Sequence, residues 1–253
     1  MIDFLRLGLL PLLFLASSVH AAGVPDDCGQ LLVGFAPDWN SMRGELRRFQ
    51  RKAGTWKQGG PAIPVLFGKN GLAWGSGLAG QSEPGLRKKE RDGRAPAGVF
   101  RIGRIYTYDS RLPGGSSFPS HQVTVADAWV DDPGSPDYNR FVTISDPANP
   151  PPWFEKQKMR HNDFAYRWLV EIRHNSDPAV PGDGSAIFFH IRRGVSRPPA
   201  GCTTMAEQDL AGVISWLREA GHPCYALLPA AEYEKKWQTW NLPPPSGTDA
   251  AKH

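Results

Sequence analysis

Proline and glycine interrupt this chain at short intervals, which limits the folds open to it. The 253 residues include 24 prolines and 27 glycines. Proline breaks the interior of a helix and glycine weakens it, whereas short strands joined by turns accommodate both. Hydrophobic residues make up 40% of the chain, which suits one packed core. We therefore expect a mainly β (α+β) domain and exclude a helical bundle, a coiled coil, collagen and a multi-span membrane protein.

Short runs rich in β-branched and aromatic residues predict the strands, because each run is bounded by Pro, Gly, Asp or Asn. The predicted strands are 30–36, 44–49, 62–67, 98–108, 121–130, 140–145, 166–174, 186–191 and 224–228. The glycine-rich stretch 69–83 is predicted to be a surface loop, and the charged stretch 86–94 a solvated loop.

One well-capped helix is predicted directly after Cys202. Thr204 and Glu207 have the spacing of a capping box, in which each side chain satisfies a backbone amide of the first turn. Four apolar residues then recur at helical spacing, before a glycine that predicts the end of the helix: Leu210, Val213, Ile214 and Leu217. A second, short helix is predicted at 232–240, followed by a disordered tail at 242–253.

The first 21 residues have the pattern of an export signal. A weakly charged start precedes the apolar run 7–15, and Val19-His20-Ala21 fits the small-x-small cleavage rule. The apolar run is shorter than the about 20 residues that a membrane-spanning helix needs. We expect cleavage near Ala21 and a periplasmic or secreted protein, with an uncleaved anchor as the alternative.

Export places the three cysteines in an oxidising compartment, where an odd number leaves at least one thiol unpaired within the chain. Cys28 and Cys224 each precede an apolar run, so a bond between them would join a terminal strand to the body of the domain. Cys202 instead follows the sequence Pro198-Pro199-Ala200-Gly201, which predicts a tight turn. We predict a Cys28–Cys224 disulfide and a free Cys202 thiol.

Cys202 and His190 are the candidate catalytic pair. A cysteine nucleophile needs a lowered pKa, a base within reach and donors directed at the developing oxyanion. His190 ends an apolar strand, and the loop that follows it is rich in Pro, Gly and Arg, so it is able to fold back and bring Cys202 beside the strand end. The predicted helix start and the loop arginines would favour the thiolate; these are Arg192, Arg193 and Arg197.

The segment Phe188-Phe189-His190 followed by Ala200-Gly201-Cys202-Thr203 resembles the catalytic motif of the L,D-transpeptidases, enzymes that cross-link peptidoglycan through a cysteine nucleophile. The segment 95–100 (APAGVF) is similar to the Thr-Pro-x-Gly-x-Phe stretch of that family. The segments 130–133, 138–140 and 170–175 resemble a divergent branch with a shortened catalytic loop. Pro199 and Ala200 replace the Ser and His of the more common Ser-His-Gly-Cys motif. The resemblance extends over residues 30–230.

The resemblance implies an L,D-transpeptidase-like β-sandwich, with the catalytic domain at 22–232 and a terminal segment at 233–253. It implies that His190 holds Cys202 as a thiolate ion pair and that the Ile191 carbonyl orients the imidazole. Backbone amides of Ala200 and Gly201 would stabilise the oxyanion. The residues expected to contact substrate are Arg192, Arg193, Arg197, His174 and Asn175.

The implied reaction is acyl transfer on peptidoglycan stem peptides, and so a role in cell wall biogenesis and cell shape. Cys202 would form a thioester with loss of the terminal D-alanine and pass the acyl group to an amine, with no metal or organic cofactor. Two alternatives stay open: a carboxypeptidase or hydrolase that uses water, and a non-catalytic cell-wall-binding module. We expect a monomer without an integral membrane segment after cleavage. Its net charge of +4 suits anionic wall polymers, and no nucleic-acid motif is present.

Overall fold

The computed structural model describes residues 23–245, so the predicted export signal lies outside the described residues. Thirteen strands lie in this part of the chain: β1 (Gln30–Ala36), β2 (Arg43–Lys52), β3 (Thr55–Gln58), β4 (Ile63–Leu66), β5 (Leu72–Trp74), β6 (Ala95–Thr107), β7 (Ser120–Gln122), β8 (Asp127–Val130), β9 (Arg140–Thr143), β10 (Trp168–Ile172), β11 (Phe188–Ile191), β12 (Thr203–Met205) and β13 (Cys224–Pro229). The α-helices of the same residues are α1 (Phe154–Gln157), α2 (Glu207–Trp216) and α3 (Ala230–Lys236).

The main sheet closes on itself. Strand β1 pairs in parallel with β13 and antiparallel with β2, so the order β1-β13-β6-β10-β11-β12-β4-β2 returns to β1. Closure pairs the edges that an open sheet would expose. The expectation of a mainly β fold is confirmed. The sheet is barrel-like, with β3, β5 and β7 added to it, and β8 and β9 form a separate two-stranded sheet; the expected sandwich is not confirmed.

Strand β6 is the longest element and joins most of the sheet. It pairs antiparallel with β13 and β10 and in parallel with β5 and β7. Gly98 adopts a φ of +140° within it, and a Cβ atom there would lie 2.3 Å from the carbonyl oxygen of Ala79. Glycine is therefore required where this strand passes closest to the neighbouring loop.

Buried residues fill the interior of the closed sheet. Leu31, Leu32 and Val33 of β1 have no exposed surface, and the ring of Tyr225 packs 4.7 Å from that of Phe189. Helix α2 covers part of the sheet with Leu210, Val213 and Ile214, the same apolar residues whose spacing predicted a helix.

The predicted capping box is wrong. Residues Thr203–Met205 form strand β12, and α2 begins only at Glu207, after Ala206, whose side chain makes no capping hydrogen bond. The Thr204 hydroxyl is buried and has no hydrogen-bond partner among the described residues. Pairing of this buried, β-branched segment with β11 outweighs the local capping preference. Cys202 therefore precedes a strand, and the start of the helix lies further from its sulfur than expected.

Other features also differ from the sequence prediction. The predicted surface loop 69–83 contains β5, whose three residues are all buried. Lys88, in the predicted solvated loop, is also buried. The predicted strand 121–130 is two strands, β7 and β8. The last helix begins at Ala230, and Leu242, in the predicted tail, packs into the core; residues 246–253 lie outside the described residues.

Candidate active site

Parallel pairing of β11 with β12 sets the position of Cys202. His190 lies opposite Thr204 in this register, and Cys202 immediately precedes β12. The backbone amide of Phe188 donates a hydrogen bond to the Cys202 Sγ atom at 3.4 Å, and the thiol donates to the carbonyl of Ala186 at 3.4 Å. These hydrogen bonds to Phe188 and Ala186 hold the sulfur beside the start of β11. Cys202 and His190 line the same two cavities.

The His190 imidazole is buried and oriented by its own strand. Its Nδ1 atom donates a hydrogen bond to the carbonyl of Ile191 at 2.9 Å, so in the neutral ring Nε2 carries the free lone pair. The ring of Tyr166 packs edge-on against it at 5.3 Å. Burial lowers the pKa of His190 to about 4, although the Ile191 carbonyl favours the protonated ring. At neutral pH the imidazole is therefore uncharged and able to accept a proton.

The Cys202 thiol is also uncharged at neutral pH. Burial raises the pKa of Cys202 to about 11, and this effect outweighs the Phe188 amide and the charges of Lys88 and Arg193, which lower it. The expected ion pair of thiolate and imidazolium is therefore not the resting state of this structure. The positive end of α2, which was expected to favour the thiolate, lies beyond β12.

The turn before Cys202 lines the polar cavity, and its backbone amides have no protein partner in the described part of the chain. Within residues 23–245 the amides of Ala200, Gly201 and Cys202 donate no hydrogen bond to another protein atom. The turn is anchored by the Lys69 amide, which donates to the Pro199 carbonyl at 2.9 Å. Gly201 is buried, and a Cβ atom there would lie 3.0 Å from the carbonyl oxygen of Arg94. Glycine thus lets the turn pack closely while leaving its amides available to a ligand.

Two cavities meet at the pair. One cavity, about 230 Å³, is here called the apolar lobe because of four hydrophobic side chains in its wall: Trp129, Met159, Leu169 and Phe188. Lys156 and Lys158 also line it. The polar lobe, about 380 Å³, is lined by the turn 198–202 together with Lys88, Glu90, Arg91, Ser185 and Arg193. Five residues line both lobes: Asp131, Tyr166, Ala186, His190 and Cys202. A molecule in either lobe therefore reaches the sulfur.

One of the three loop arginines belongs to the site. Arg193 lines the polar lobe, where it pairs with Asp163 and stacks on the ring of Tyr166 at 4.7 Å. Arg192 and Arg197 line neither lobe, and Arg197 is exposed to solvent. Of the three, Arg193 is the one that lines a lobe, and substrate contact by these arginines stays a prediction.

His174 and Asn175 do not reach the site. His174 is buried; its Nδ1 accepts a hydrogen bond from the Ser76 amide at 3.1 Å and its Nε2 donates to the Asp183 carbonyl at 3.0 Å. The Asn175 side chain bonds to the backbone of Val180 and Gly184. Neither residue lines either lobe. Their polar atoms fix the loop before β11, and substrate contact by these two residues stays a prediction that their position does not support.

Asn139 organises the site, and the sequence analysis missed this. It is buried with a φ of 56°, and its Oδ1 accepts hydrogen bonds from the Trp129 indole and the Ala186 amide. Its Nδ2 donates to the carbonyls of His174 and Asn175. Asparagine tolerates this left-handed conformation better than most residues. The Tyr-Asn-Arg sequence after a turn was the available signal, but its long-range partners were not visible in it.

Cys28 and Cys224 lie in contact. Both are buried; the Cys28 thiol donates to the carbonyl of Gln30 at 3.2 Å, and the neighbouring Cys224 side chain lowers the pKa of Cys28. Parallel pairing of Leu31 with Cys224 brings the two segments together. The structure records both residues as thiols, so the disulfide stays a prediction.

Residues 23–245 contain neither a membrane-spanning helix nor a cluster of metal ligands. No helix there combines the length and the apolar character needed to cross a bilayer. Nor do three or more His, Cys, Asp or Glu side chains of these residues converge as a metal ion would require.

A cysteine thiol and a neutral imidazole beside free backbone amides are the groups that nucleophilic acyl chemistry uses. The model of the YkuD family, the L,D-transpeptidase catalytic domain, matches residues 51–224. This is more than half of the chain, which therefore belongs to the YkuD family. No curated protein and no solved structure matches it.

Proposed function

We propose that this protein is an exported cysteine acyltransferase that acts on peptidoglycan stem peptides. The observation that carries the proposal is the convergence of Cys202, His190 and the free amides of the 198–202 turn at the junction of two lobes. Membership of the YkuD family supports a peptidoglycan substrate. The export pattern of residues 1–21 agrees with a substrate outside the cytoplasm.

The first half-reaction forms a thioester. As the Cys202 sulfur attacks the carbonyl carbon of the third stem residue, a diamino acid such as meso-diaminopimelate, its proton moves to Nε2 of His190. The oxyanion that forms is stabilised by the amides of Ala200, Gly201 and Cys202. Removing one such donor costs roughly 3–4 kcal/mol of transition-state stabilisation in comparable sites. The intermediate then expels the terminal D-alanine, whose amine takes the proton from His190.

A neutral Cys202 thiol and a neutral His190 imidazole are compatible with formation of the thioester. The low pKa of His190 and the high pKa of Cys202 both result mainly from burial, which penalises each charged form. Sulfur and imidazole acquire charge only while the proton moves, when the oxyanion donors and the substrate are in place. The Nδ1–Ile191 hydrogen bond holds the base in the required tautomer throughout.

The second half-reaction returns the free thiol. An amine of a second stem attacks the thioester carbonyl and gives one proton to the neutral His190, which passes it to the sulfur as the C–S bond breaks. The two lobes favour transfer to an amine over hydrolysis, because one is able to hold the acyl donor while the other admits an acceptor. Water as acceptor would give a carboxypeptidase with the same intermediate, and a wall-binding module would give no turnover.

Product analysis tests the proposal. The chain from Ala22 onward is incubated with tetrapeptide muropeptides, and the products are separated and identified by mass spectrometry. We expect release of D-alanine and formation of cross-linked dimers, with neither product from Cys202→Ala. Release of D-alanine without dimers, even with added amine, would identify the carboxypeptidase. Binding without any product would contradict the proposed enzyme.

Export is tested separately. The full chain is expressed in a bacterium, and the N-terminus of the protein recovered outside the cytoplasm is sequenced. We expect it to begin at Ala22. Retention of the full chain in the cytoplasm would contradict export but leave the chemistry of Cys202 untouched.

A further inference from the structure

Asp131 holds a carboxylate where the two lobes meet. It follows β8 directly, is half-buried, and lines both lobes together with His190 and Cys202. Among the described residues, Asp131 is the one carboxylate that lines the apolar lobe. In the polar lobe, Asp131 and Glu90 are the two carboxylates. The Asp131 carboxylate therefore faces the same two lobes as the Cys202 thiol.

Asp131 differs from Glu90, the other carboxylate of the polar lobe, in having no side-chain partner; its own backbone amide is the donor that it has. Glu90 accepts hydrogen bonds from the Tyr138 hydroxyl and, at 2.7 Å, from the Ser185 hydroxyl. No side chain among residues 23–245 donates a hydrogen bond to the Asp131 carboxylate or forms an ion pair with it. Glu90 is thus used in holding the cavity wall, whereas Asp131 is available to a ligand.

The surroundings of Asp131 favour a cationic ligand. Burial and the neighbouring negative charge of Glu90 raise the pKa of Asp131, and Arg91 only partly offsets them. A half-buried carboxylate that no side chain contacts through a hydrogen bond or an ion pair is stabilised when a cation with N–H donors binds to it. An alkylammonium group supplies both the charge and the donors.

We propose that Asp131 binds the ammonium group of the acyl acceptor and thereby selects an amine over water. This inference rests on the proposed function and deepens it, since it names the residue that decides the acceptor. An ammonium held on Asp131 lies at the junction of the lobes, next to the carbonyl carbon of a Cys202 thioester. The amine is then bound before it attacks, which raises its effective concentration relative to water.

The proton balance assigns Asp131 a second task. An ammonium group carries two protons more than the amide nitrogen into which it is converted. One passes to the Asp131 carboxylate as the amine becomes nucleophilic and is then released to water. The other passes through His190 to the departing Cys202 sulfur. The C–S bond of the thioester breaks as the C–N bond of the amide forms, and no oxidant or further reactant is needed.

The test separates acylation from transfer. Wild type and Asp131→Asn are acylated with a tetrapeptide stem, and the acyl-enzyme is followed by intact mass spectrometry while either ethylamine or methoxyamine is added. Ethylamine is protonated at neutral pH, whereas methoxyamine is not. Asp132→Asn is the matched control, because Asp132 is exposed and asparagine keeps the oxygen that accepts the Gly134 amide.

We expect Asp131→Asn to be acylated at the wild-type rate. In this variant the ratio of acyl transfer to ethylamine over hydrolysis of the acyl-enzyme falls at least about tenfold, which is the effect of one charge-assisted hydrogen bond. Transfer to methoxyamine does not change, and Asp132→Asn behaves as wild type in every assay. The isosteric substitution and the unchanged acylation together exclude misfolding as the cause.

Three results would overturn the inference. Equal loss of transfer to both amines would mean that the charge of the acceptor is not recognised. Slower acylation with an unchanged ratio of transfer to hydrolysis would assign Asp131 to the donor stem instead. No change at all would leave Asp131 without a role in the reaction. If wild type itself is not acylated, the proposed function fails, a result that is distinct from these three.

Discussion

The backbone amide of Phe188 donates a hydrogen bond to the Cys202 Sγ atom across the boundary between β11 and β12. The contact depends on the parallel register that pairs Phe189 with Thr203. The Cys202 thiol is therefore positioned by sheet pairing and not by a helix start. This geometry holds the thiol in place but does not ionise it.

Replacing His190 tests the base. In His190→Asn the side-chain amide is still able to donate to the Ile191 carbonyl, but the lone pair of Nε2 is lost. We expect acylation of Cys202 by a tetrapeptide stem to slow by about 10²–10⁴-fold, the usual contribution of a general base. The measurement is the acylation rate by intact mass spectrometry. His222→Asn, at an exposed residue with a left-handed backbone that asparagine tolerates, is the control and should react as wild type. Equal rates for both variants would exclude His190 as the base.

The alkylation rate of Cys202 should rise with pH beyond neutrality. Because burial raises the pKa of this thiol to about 11, the reactive thiolate is a minor species at pH 7 and grows as pH increases. The rate constant with iodoacetamide is measured against pH in wild type, with Cys202→Ala giving the background from the other two cysteines. A plateau already reached near pH 7 would contradict a neutral resting pair and support the ion pair instead.

Gly201→Ala tests the turn amides. The new methyl group would lie 3.0 Å from the Arg94 carbonyl oxygen, so the turn and its neighbour must separate by a few tenths of an ångström and the amides move with the turn. We expect acylation to fall by about 10²-fold, as when an oxyanion donor is removed, with the fold retained by circular dichroism. Gly194→Ala, in the same loop, meets only the Arg197 side chain at 3.8 Å and serves as the control. A Gly201→Ala enzyme with wild-type rates would mean that these amides do not stabilise the oxyanion.

Asn139→Ala should destabilise the whole domain. Alanine would leave the Trp129 indole and the Ala186 amide without their acceptor, and it is less stable than asparagine at a φ of 56°. We expect the free energy of unfolding to fall by about 3–5 kcal/mol in chemical denaturation. Asn162→Ala changes a similar left-handed position on the surface and should cost about 1 kcal/mol. Similar losses for the two variants would show that the buried hydrogen bonds contribute little.

The Cys28–Cys224 disulfide is tested by thiol titration. The two side chains interact and their segments are joined by strand pairing, so the bond needs no large rearrangement in an oxidising compartment. Exported protein that is denatured without reductant should contain one free sulfhydryl group, and peptide mapping should locate it at Cys202. Three free sulfhydryl groups would contradict the predicted disulfide.

Local sequence patterns predicted the parts of the structure that depend on local physics. The predicted strand 30–36 has the bounds of β1, because an apolar run between turn residues suffices to define it. His190 and Cys202 were identified from a strand end and a Pro-Gly turn, and they line the same cavities. The family was identified from these same residues and is confirmed by the match to residues 51–224.

Features that depend on distant partners were not predictable in this way. Thr204 and Glu207 have the spacing of a capping box, but the partner strand β11, which decides their conformation, is invisible in that local pattern. Asp131 reaches the site only through the pairing of β8 with β9 and the packing around Asn139. The pKa of Cys202 depends on burial, which a tight turn in the sequence does not reveal.

The most direct test of the account is to locate the acyl group on the protein. The enzyme is incubated with a tetrapeptide stem, quenched in acid and digested, and the peptides are sequenced by mass spectrometry. The account predicts a tripeptidyl thioester on the peptide that contains Cys202, with one D-alanine released for each adduct and no adduct in Cys202→Ala. An adduct on Cys28 or Cys224, or D-alanine release that persists in Cys202→Ala, would contradict it.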